Sequence, residues 1–546
     1  MKRLLFAVLV VLAAIGVLPA SAAATESPVL VLARGAALHG ANGVMFDRHD
    51  RLYVASVVGR EIVVMDPRTG AILDRLGPAQ GVEGPDDLTF GPDGALYWTS
   101  FFTGVVGRGV PGGTSTTVAQ LPPGAGAITF SDDGRLFVAV SFPGQADALY
   151  EVDPGGTSPP RLIAENLGGL NSMDWGPDGF LYGPLSSSDR VVRINVDTGA
   201  VTPVAGDFGL PTAAKFDARG RLYVVDQLNG EVVRVDIATG AKMLIARLAP
   251  GLDSLAFDSR GRLFVSSFQD GFIAEVKPDG EVRMVSGGGM ISPGGVAALP
   301  RGRDNESVFA ADLFSLREFD AQTGRQRSIE RGFTGHGQLI TPVFTVAPDG
   351  NRLLLSSSFG GTVQLWDPAA HAVMATYTGF DTPLNAIRFQ GDLIVAEGGS
   401  GSVVRARGAD PAERVTLAAG LGVPAGLAAT DDDLWVGDWA TGRVLQLVAD
   451  GQPLAQPRVV AQRLAAPEGL ATAPDRSLLV VESGAGRLAR IDLVSGRVST
   501  VADGLALGAQ GIPGQAPTWI FNGVAVGPSG AIYVSGDKTN VLYRLG

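Results

Sequence analysis

The stretch APEGLATAPDRSLLVVE (466–482) holds Glu468 at a position that related stretches of the chain give to Asn, Asp, Thr, Pro, Ala or Gly. In chain order that position reads Asn42, Asp86, Gly126, Asn171, Thr212 and Asp253, then Gly294, Pro342, Asn385, Ala425, Glu468 and Asn522. Carboxylate and amide oxygens gathered from several repeats form a hard ligand set of the kind that suits Ca2+, which takes roughly six to eight oxygens. Any one Asn or Asp alone also reads as a turn residue, because both accept backbone N–H groups. Glu468 does not fit that reading: Glu is not a turn former, and it sits between Pro467 and Gly469 ahead of an apolar run.

A second row of acids follows where the next strand of each repeat ends: Asp226, Asp312, Glu397, Asp438, Glu482 and Asp537. Strand-end carboxylates are common turn acceptors. Glu482 shares a repeat with Glu468, however, and Glu397 shares one with Asn385. Two carboxylates beside a cation can divide the roles of acid and base. The chain has four His, of which His49 and His371 fall in hairpin turns. His39 and His336 lie in connectors ahead of inner strands, where an imidazole could serve as a general base near neutral pH. Glu482, His336 and His39 are therefore the candidate catalytic groups.

The elements that must position these residues are repeats. An apolar strand, a turn such as Pro-Asp-Gly, a second strand such as Leu-Tyr-Val and a further hairpin recur in LTFGPDGALYWTS (88–100), KFDARGRLYVVDQLNGEVVRVDIATG (215–240) and AFDSRGRLFVSS (256–267). Twelve copies follow one another at intervals of 40 to 54 residues, counted on the residue before the first turn. That is the length of a four-stranded propeller blade. Asp-Gly between alternating apolar runs signals a hairpin. The fold expected is all-β, two tandem six-bladed β-propellers built from twelve four-stranded blades, because a single ring of twelve lies outside the usual range. The last blade stops after its third strand, so an early segment must complete it or leave a sheet edge open. PVLVLARG (28–35) and EVRMVSGG (281–288) are the two candidates for closing strands. The expectation is that the first closes ring one and the second closes ring two, with domains at 25–279 and 280–546. The rival is that 29–34 crosses to the second ring, with the border near 290.

The stretches PEGLATAPDRSLLVVE, FNGVAVGPSGAIYVSGD and ANGVMFDRHDRLYVAS resemble the six-bladed propellers of the gluconolactonase/regucalcin superfamily and the related NHL-type propellers. Enzymes of that superfamily hold a divalent cation with a Glu, Asn residues and an Asp in such positions. The resemblance implies Glu468, Asn522 and Asn385 as ligands in the second ring, and Asn42, Asp86, Asn171 and Asp253 in the first. It implies Ca2+, with Mg2+ as the alternative, and hydrolysis of a small lactone or ester-like molecule. The first ring lacks the Glu and the second lacks the Asp. The other readings are a propeller that binds a ligand or a protein without catalysis, and a metal-dependent lyase resembling virginiamycin B lyase.

Net charge is −12, which argues against a nucleic-acid partner. The chain has no Cys, so thiol chemistry, Cys-bound zinc and disulfides are excluded. Residues 1–24 read as a signal peptide, with Lys2 and Arg3 ahead of an apolar run and Ala20-Ser21-Ala22 as the cleavage site. No other segment is apolar enough to span a membrane, so a periplasmic or secreted protein is expected. The connector at 502–521, with Trp519, is longer than its counterparts and suggests a lid over the second ring.

Overall fold

Tight turns set the architecture. Gly94, Gly134 and Gly179 take φ of 75°, 87° and 79° in the Asp-Gly turns, where a Cβ is disfavoured. Asp50 and Arg476 hold the equivalent position at φ 58° and 64° without glycine. The computed structural model describes residues 28–110, 113–142, 146–303, 305–332, 338–339, 342–407, 413–511 and 520–546. The expected signal peptide, His336 and Trp519 lie outside the described residues.

The chain forms twelve four-stranded antiparallel sheets. Each is one blade whose innermost strand comes first in all but the last, and they make two tandem six-bladed propellers. Ring one holds blades 1 to 6, from Val44–Phe46 to Val282–Ser286, and its first inner strand packs beside Leu252–Phe257 of blade 6. Ring two holds blades 7 to 12, with Val296–Arg301 packed beside Val524–Val526. The core of each ring lies between adjacent blades, where side chains from two sheets interdigitate, as Tyr97, Val106, Ile128 and Val138 do between blades 2 and 3.

The closing strands differ from expectation. Val282–Ser286 pairs with Ile273–Val276 and is the outer strand of blade 6 in ring one. Val29–Arg34 pairs with Val541–Leu545 and completes blade 12 in ring two. The two segments have nearly the same apolar pattern, so local sequence does not choose between the pairings. On this connectivity we place the border between the rings in the segment 287–295 rather than at 279. Ring one is thereby inserted into ring two, whose first strand precedes it in the chain and whose other blades follow.

Two segments cross between the rings, and they lie against each other. Ala36 donates its N–H to Met290 O at 2.8 Å, and Gly35 donates to Asn540 O at 2.6 Å. A Cβ on Gly289 would fall 2.8 Å from the Cα of Gly35, so this contact requires two glycines. Buried Arg317 of blade 7 binds Asp312 at 2.6 Å and Asp270 of blade 6 at 2.8 Å. Ala36, Val58, Ile291, Leu313, Phe344 and Ile520 form an apolar cluster around the crossing.

Deleting residues 28–34 removes the five residue pairs that join Val29–Arg34 to blade 12. At about 1 kcal/mol for each ladder hydrogen bond, ring two loses several kcal/mol. Scanning calorimetry is expected to split into two transitions, with ring two melting first. A single unshifted transition would show that this strand does not close the ring.

Candidate functional site

The position singled out in the sequence lies where the inner strand departs from its ladder. Register shifts occur between Pro85 and Leu88, Pro211 and Ala213, Leu252 and Leu255, and Pro467 and Leu470. Proline opens several of these strands at a point where no N–H is needed for pairing. Such bulges re-aim side chains, so two consecutive residues can leave the pleat.

In ring one they bring oxygen atoms together at the axis. Asn42 Nδ2 donates to Asp86 Oδ1 at 3.2 Å, while Asn42 Oδ1 accepts Val57 N–H. Asp86 Oδ2 reaches towards blade 3, where a Cβ on Gly126 would be 2.9 Å away. Thr212 Oγ1 is buried and has no hydrogen-bond partner. Asp86, Asn171 and Asp253 keep part of their surface open although protein packs around them, as expected of side chains facing a narrow channel. Burial, followed by the charge of Asp87, pushes the Asp86 carboxyl from its ordinary 3.8 up to about 7. Burial, then Asp86 and Asp87, raises Asp253 well above the carboxylate range.

A second layer lies next to this one. Asp87 Oδ2 accepts from Ser172 Oγ at 3.0 Å and lies 3.7 Å from Lys215 Nζ, so blades 2, 4 and 5 meet there. Ser254 Oγ is 3.4 Å from Ser172 Oγ. Asp87 and Lys215 were not singled out in the sequence. The adjacent acids Asp86-Asp87 at a strand entrance were the available signal, since a bulge can aim both inward.

Ring two uses the same position differently. Glu468 is fully buried, and its Oε2 accepts the backbone N–H of Asn522 at 2.6 Å, tying blade 11 to blade 12. Its Oε1 lacks a hydrogen-bond partner, although Ser483 and Trp439 lie beside the carboxyl. Burial, followed by the charge of Asp537, drives the Glu468 carboxyl well above its ordinary range. Burial raises Asp537 to about 6. Asn522 Oδ1 accepts Gly508 N–H at 3.0 Å. Asn385 and Asn522 line a channel of about 250 Å³ together with Thr345, Arg388 and small apolar residues. Glu468 is not on that wall, and no hydrogen bond joins Asn385 to Glu468 or Asn522 among the described residues. Leu384, Ala425 and Phe521 pack with Trp439 into an apolar cluster, of which Ala425 and Phe521 also line the channel. Among the described residues no three His, Asp or Glu side chains converge as a metal cluster, so a cation at either ring would also need amide or hydroxyl oxygens.

The candidate catalytic groups are placed as follows. Glu482 accepts from Ala465 N–H at 2.9 Å and from Arg487 Nε at 2.6 Å, which engages both of its oxygens. Asp226, Asp312 and Asp438 likewise accept backbone N–H groups of the connectors entering their own blades. These second-row acids anchor loops. His39 is half-buried between the rings, with Nε2 donating to Asp537 O at 2.9 Å and Nδ1 unpartnered. Desolvation lowers its pKa and so favours the neutral imidazole.

The raised Asp86 makes ring one's stability depend on pH. Its pKa is about 7 in the fold against an ordinary 3.8, so the stability it contributes is present at low pH and lost as pH rises through that interval. In chelator, the melting temperature is expected to fall between pH 4 and pH 7 as this group ionises. A melting temperature that rises through the interval in chelator would contradict the assignment. In ring two, Glu468→Gln keeps an acceptor for Asn522 N–H without a buried charge, and thermal melting at pH 7 should match or exceed wild type. Glu468→Ala strands that N–H at a cost of about 1–3 kcal/mol. A Gln variant as damaged as the Ala variant would show that ring two needs the carboxylate itself.

Comparison with known proteins gives partial matches. A repeat of unknown function, DUF6923, matches residues 103–251, and a WD domain, G-beta repeat, matches residues 327–367. No curated protein matches the chain. Among solved structures, virginiamycin B lyase from Staphylococcus aureus is 13% identical, covering 53% of this chain and 96% of its own, with a TM-score of 0.37. A gluconolactonase from Xanthomonas campestris is 16% identical over 45% of this chain and 88% of its own, at a TM-score of 0.36. Regucalcin from Agrobacterium tumefaciens, a calcium-binding protein, is 18% identical over 44% of this chain and 85% of its own, at 0.36. Each spans about half of this chain, and the functional reading rests on this chain's own residues.

Proposed function

We propose that this is an exported protein whose first ring holds a divalent cation, Ca2+, at its axis and uses it to bind a small oxygen-bearing molecule. Asp86 and Asp253 would be the anionic ligands, with Asn42, Asn171 and Thr212 as neutral oxygen donors. The observation that carries this reading is the pair Asp86 and Asp253. Both are surrounded by protein, both are raised by burial and by neighbouring acids, and neither has an ion-pair partner among the described residues. Lys215 serves Asp87 instead. Buried carboxylates without a counter-charge are costly, and a cation with mixed carboxylate, amide and hydroxyl ligands relieves that cost. The unpartnered Thr212 Oγ1 fits the same donor set. In ring two Glu468 and Asn522 spend oxygens on backbone N–H groups, as Asn42 and Asn171 also do in ring one; the difference is that Glu468 lies off the channel wall, whereas Asp86 and Asp253 keep part of their surface open.

The second reading is hydrolysis of a lactone or ester-like substrate at this site. The pair Asp86 and Asp253 favours it, since one axial carboxylate could take a proton from water while the other holds the cation. A bound divalent cation would polarise the carbonyl of such a substrate. Glu482 and His39 are engaged elsewhere and carry no step in this scheme. Export rests on the apolar N-terminal run, and no helix among the described residues is long and apolar enough to cross a membrane.

Metal analysis and calcium titration of wild type and Asp253→Asn test the proposal. Wild type is expected to bind one Ca2+ per chain in ring one, and the variant at least tenfold more weakly. Equal binding in the two proteins, or none in wild type, overturns it. A panel of lactones and esters, with and without chelator, separates a hydrolase from a binding protein.

A further inference from the structure

The six axial positions of ring one are not equivalent. Five carry an oxygen-bearing side chain, and the sixth, in blade 3, is Gly126. Asp86 Oδ2 lies on that side, 2.9 Å from where a Cβ would stand. The gap therefore opens from a carboxylate rather than from an apolar wall.

Aromatic rings stand at the same end of blades 2 and 3. Phe101 follows the second strand of blade 2, and Phe142 ends the second strand of blade 3. Both lie at the end of their blades where the axial positions are, since Pro85 pairs with Ser100 and Ala125 with Val140. Phe101 N–H donates to Gly84 O at 3.0 Å, and Phe101 O accepts from Gly124 N–H at 2.6 Å. Its backbone thus bridges the two connectors, two residues ahead of Asp86 and of Gly126. The rings of Phe101 and Phe142 stack with centroids 5.7 Å apart and planes at 29°, and Phe102 meets Phe101 edge-on at 5.1 Å. All three are only half-buried, although rings of this size gain by full burial. The backbone hydrogen bonds hold them in place without covering them.

We propose that the Gly126 gap and the Phe101–Phe142 pair form the ligand subsite of ring one. It selects a molecule that joins a cation-binding oxygen group to a flat apolar ring, such as an aryl carboxylate, ester or lactone. The oxygen group enters over Gly126 beside Asp86, and the flat ring lies against the phenylalanines. This rests on the cation reading given above for the same site.

Calorimetric titration of the Ca2+-loaded full chain with acetate, benzoate, phenylacetate and 3-phenylpropionate tests it. At least one aryl acid is expected to bind about tenfold more tightly than acetate, the gain stacking typically provides. Phe142→Ala and Phe101→Ala should each reduce that advantage several-fold while leaving Ca2+ affinity unchanged. Phe142→Leu keeps apolar bulk without a flat face and should also lose most of it. Normal Ca2+ binding with no aryl preference, or a preference that survives both Ala substitutions, overturns this inference and leaves the cation site standing. Failure to bind Ca2+ at all overturns the cation reading, and this subsite with it.

Discussion

The pairing of Val29–Arg34 with Val541–Leu545 is the constraint on which the rest of the molecule depends. It joins the first described strand to the last, seals the last blade of ring two and makes ring one an insertion. A blade with three strands would leave unpaired backbone groups along its edge. The same pairing dictates that two segments cross between the rings side by side, and it places the Gly35–Gly289 contact between them. It also brings buried Arg317 between Asp312 of its own ring and Asp270 of the other. Leaving any one of those charges unpartnered would be costly, so the ion pairs favour one relative placement of the two rings.

Within each ring, the axis is built by breaking the strand period rather than by following it. An uninterrupted inner strand would alternate its side chains between the faces of the blade. The register shifts near the strand entrances let Asp86 and Asp87 both leave the ladder, one beside Asn42 and the other towards Ser172 and Lys215. In ring two the same local geometry gives another outcome. Glu468 has a longer side chain, and its carboxylate turns to the Asn522 N–H. Among the described residues, Asp86 and Asp253 of ring one have no ion-pair partner, and ring two has a carboxyl that works as a brace between blades.

The blade count, the hairpin turns and the position of the axial residues were legible in the sequence because they are local. Asp-Gly turns need a positive φ, and each blade needs four apolar runs of a few residues. Asn42, Asp86, Asn171 and Asp253 share one position of that repeat, and the strand-end acids share another. The roles of those acids were less legible. Glu482 and Asp226 occupy equivalent positions, and only the folded connectors show that both anchor backbone N–H groups. His39 reads from the sequence as a candidate general base in a connector, and it lies between the rings, because the segment that carries it is one of the two crossings.

By itself the sequence determined an all-β chain of twelve blades in two rings, and the strand entrances that hold the oxygen-bearing residues. Those features follow from periodicity and turn chemistry, which act over a few residues. Only the tertiary structure decided which outer strand closes which ring, because VLVLAR and VRMVS present the same pattern to any open edge. It also decided that Glu468 braces Asn522, and that Phe101 and Phe142 stack across blades 2 and 3. Each of these joins residues on different blades, and the distance between blades is set by how whole sheets pack around an axis.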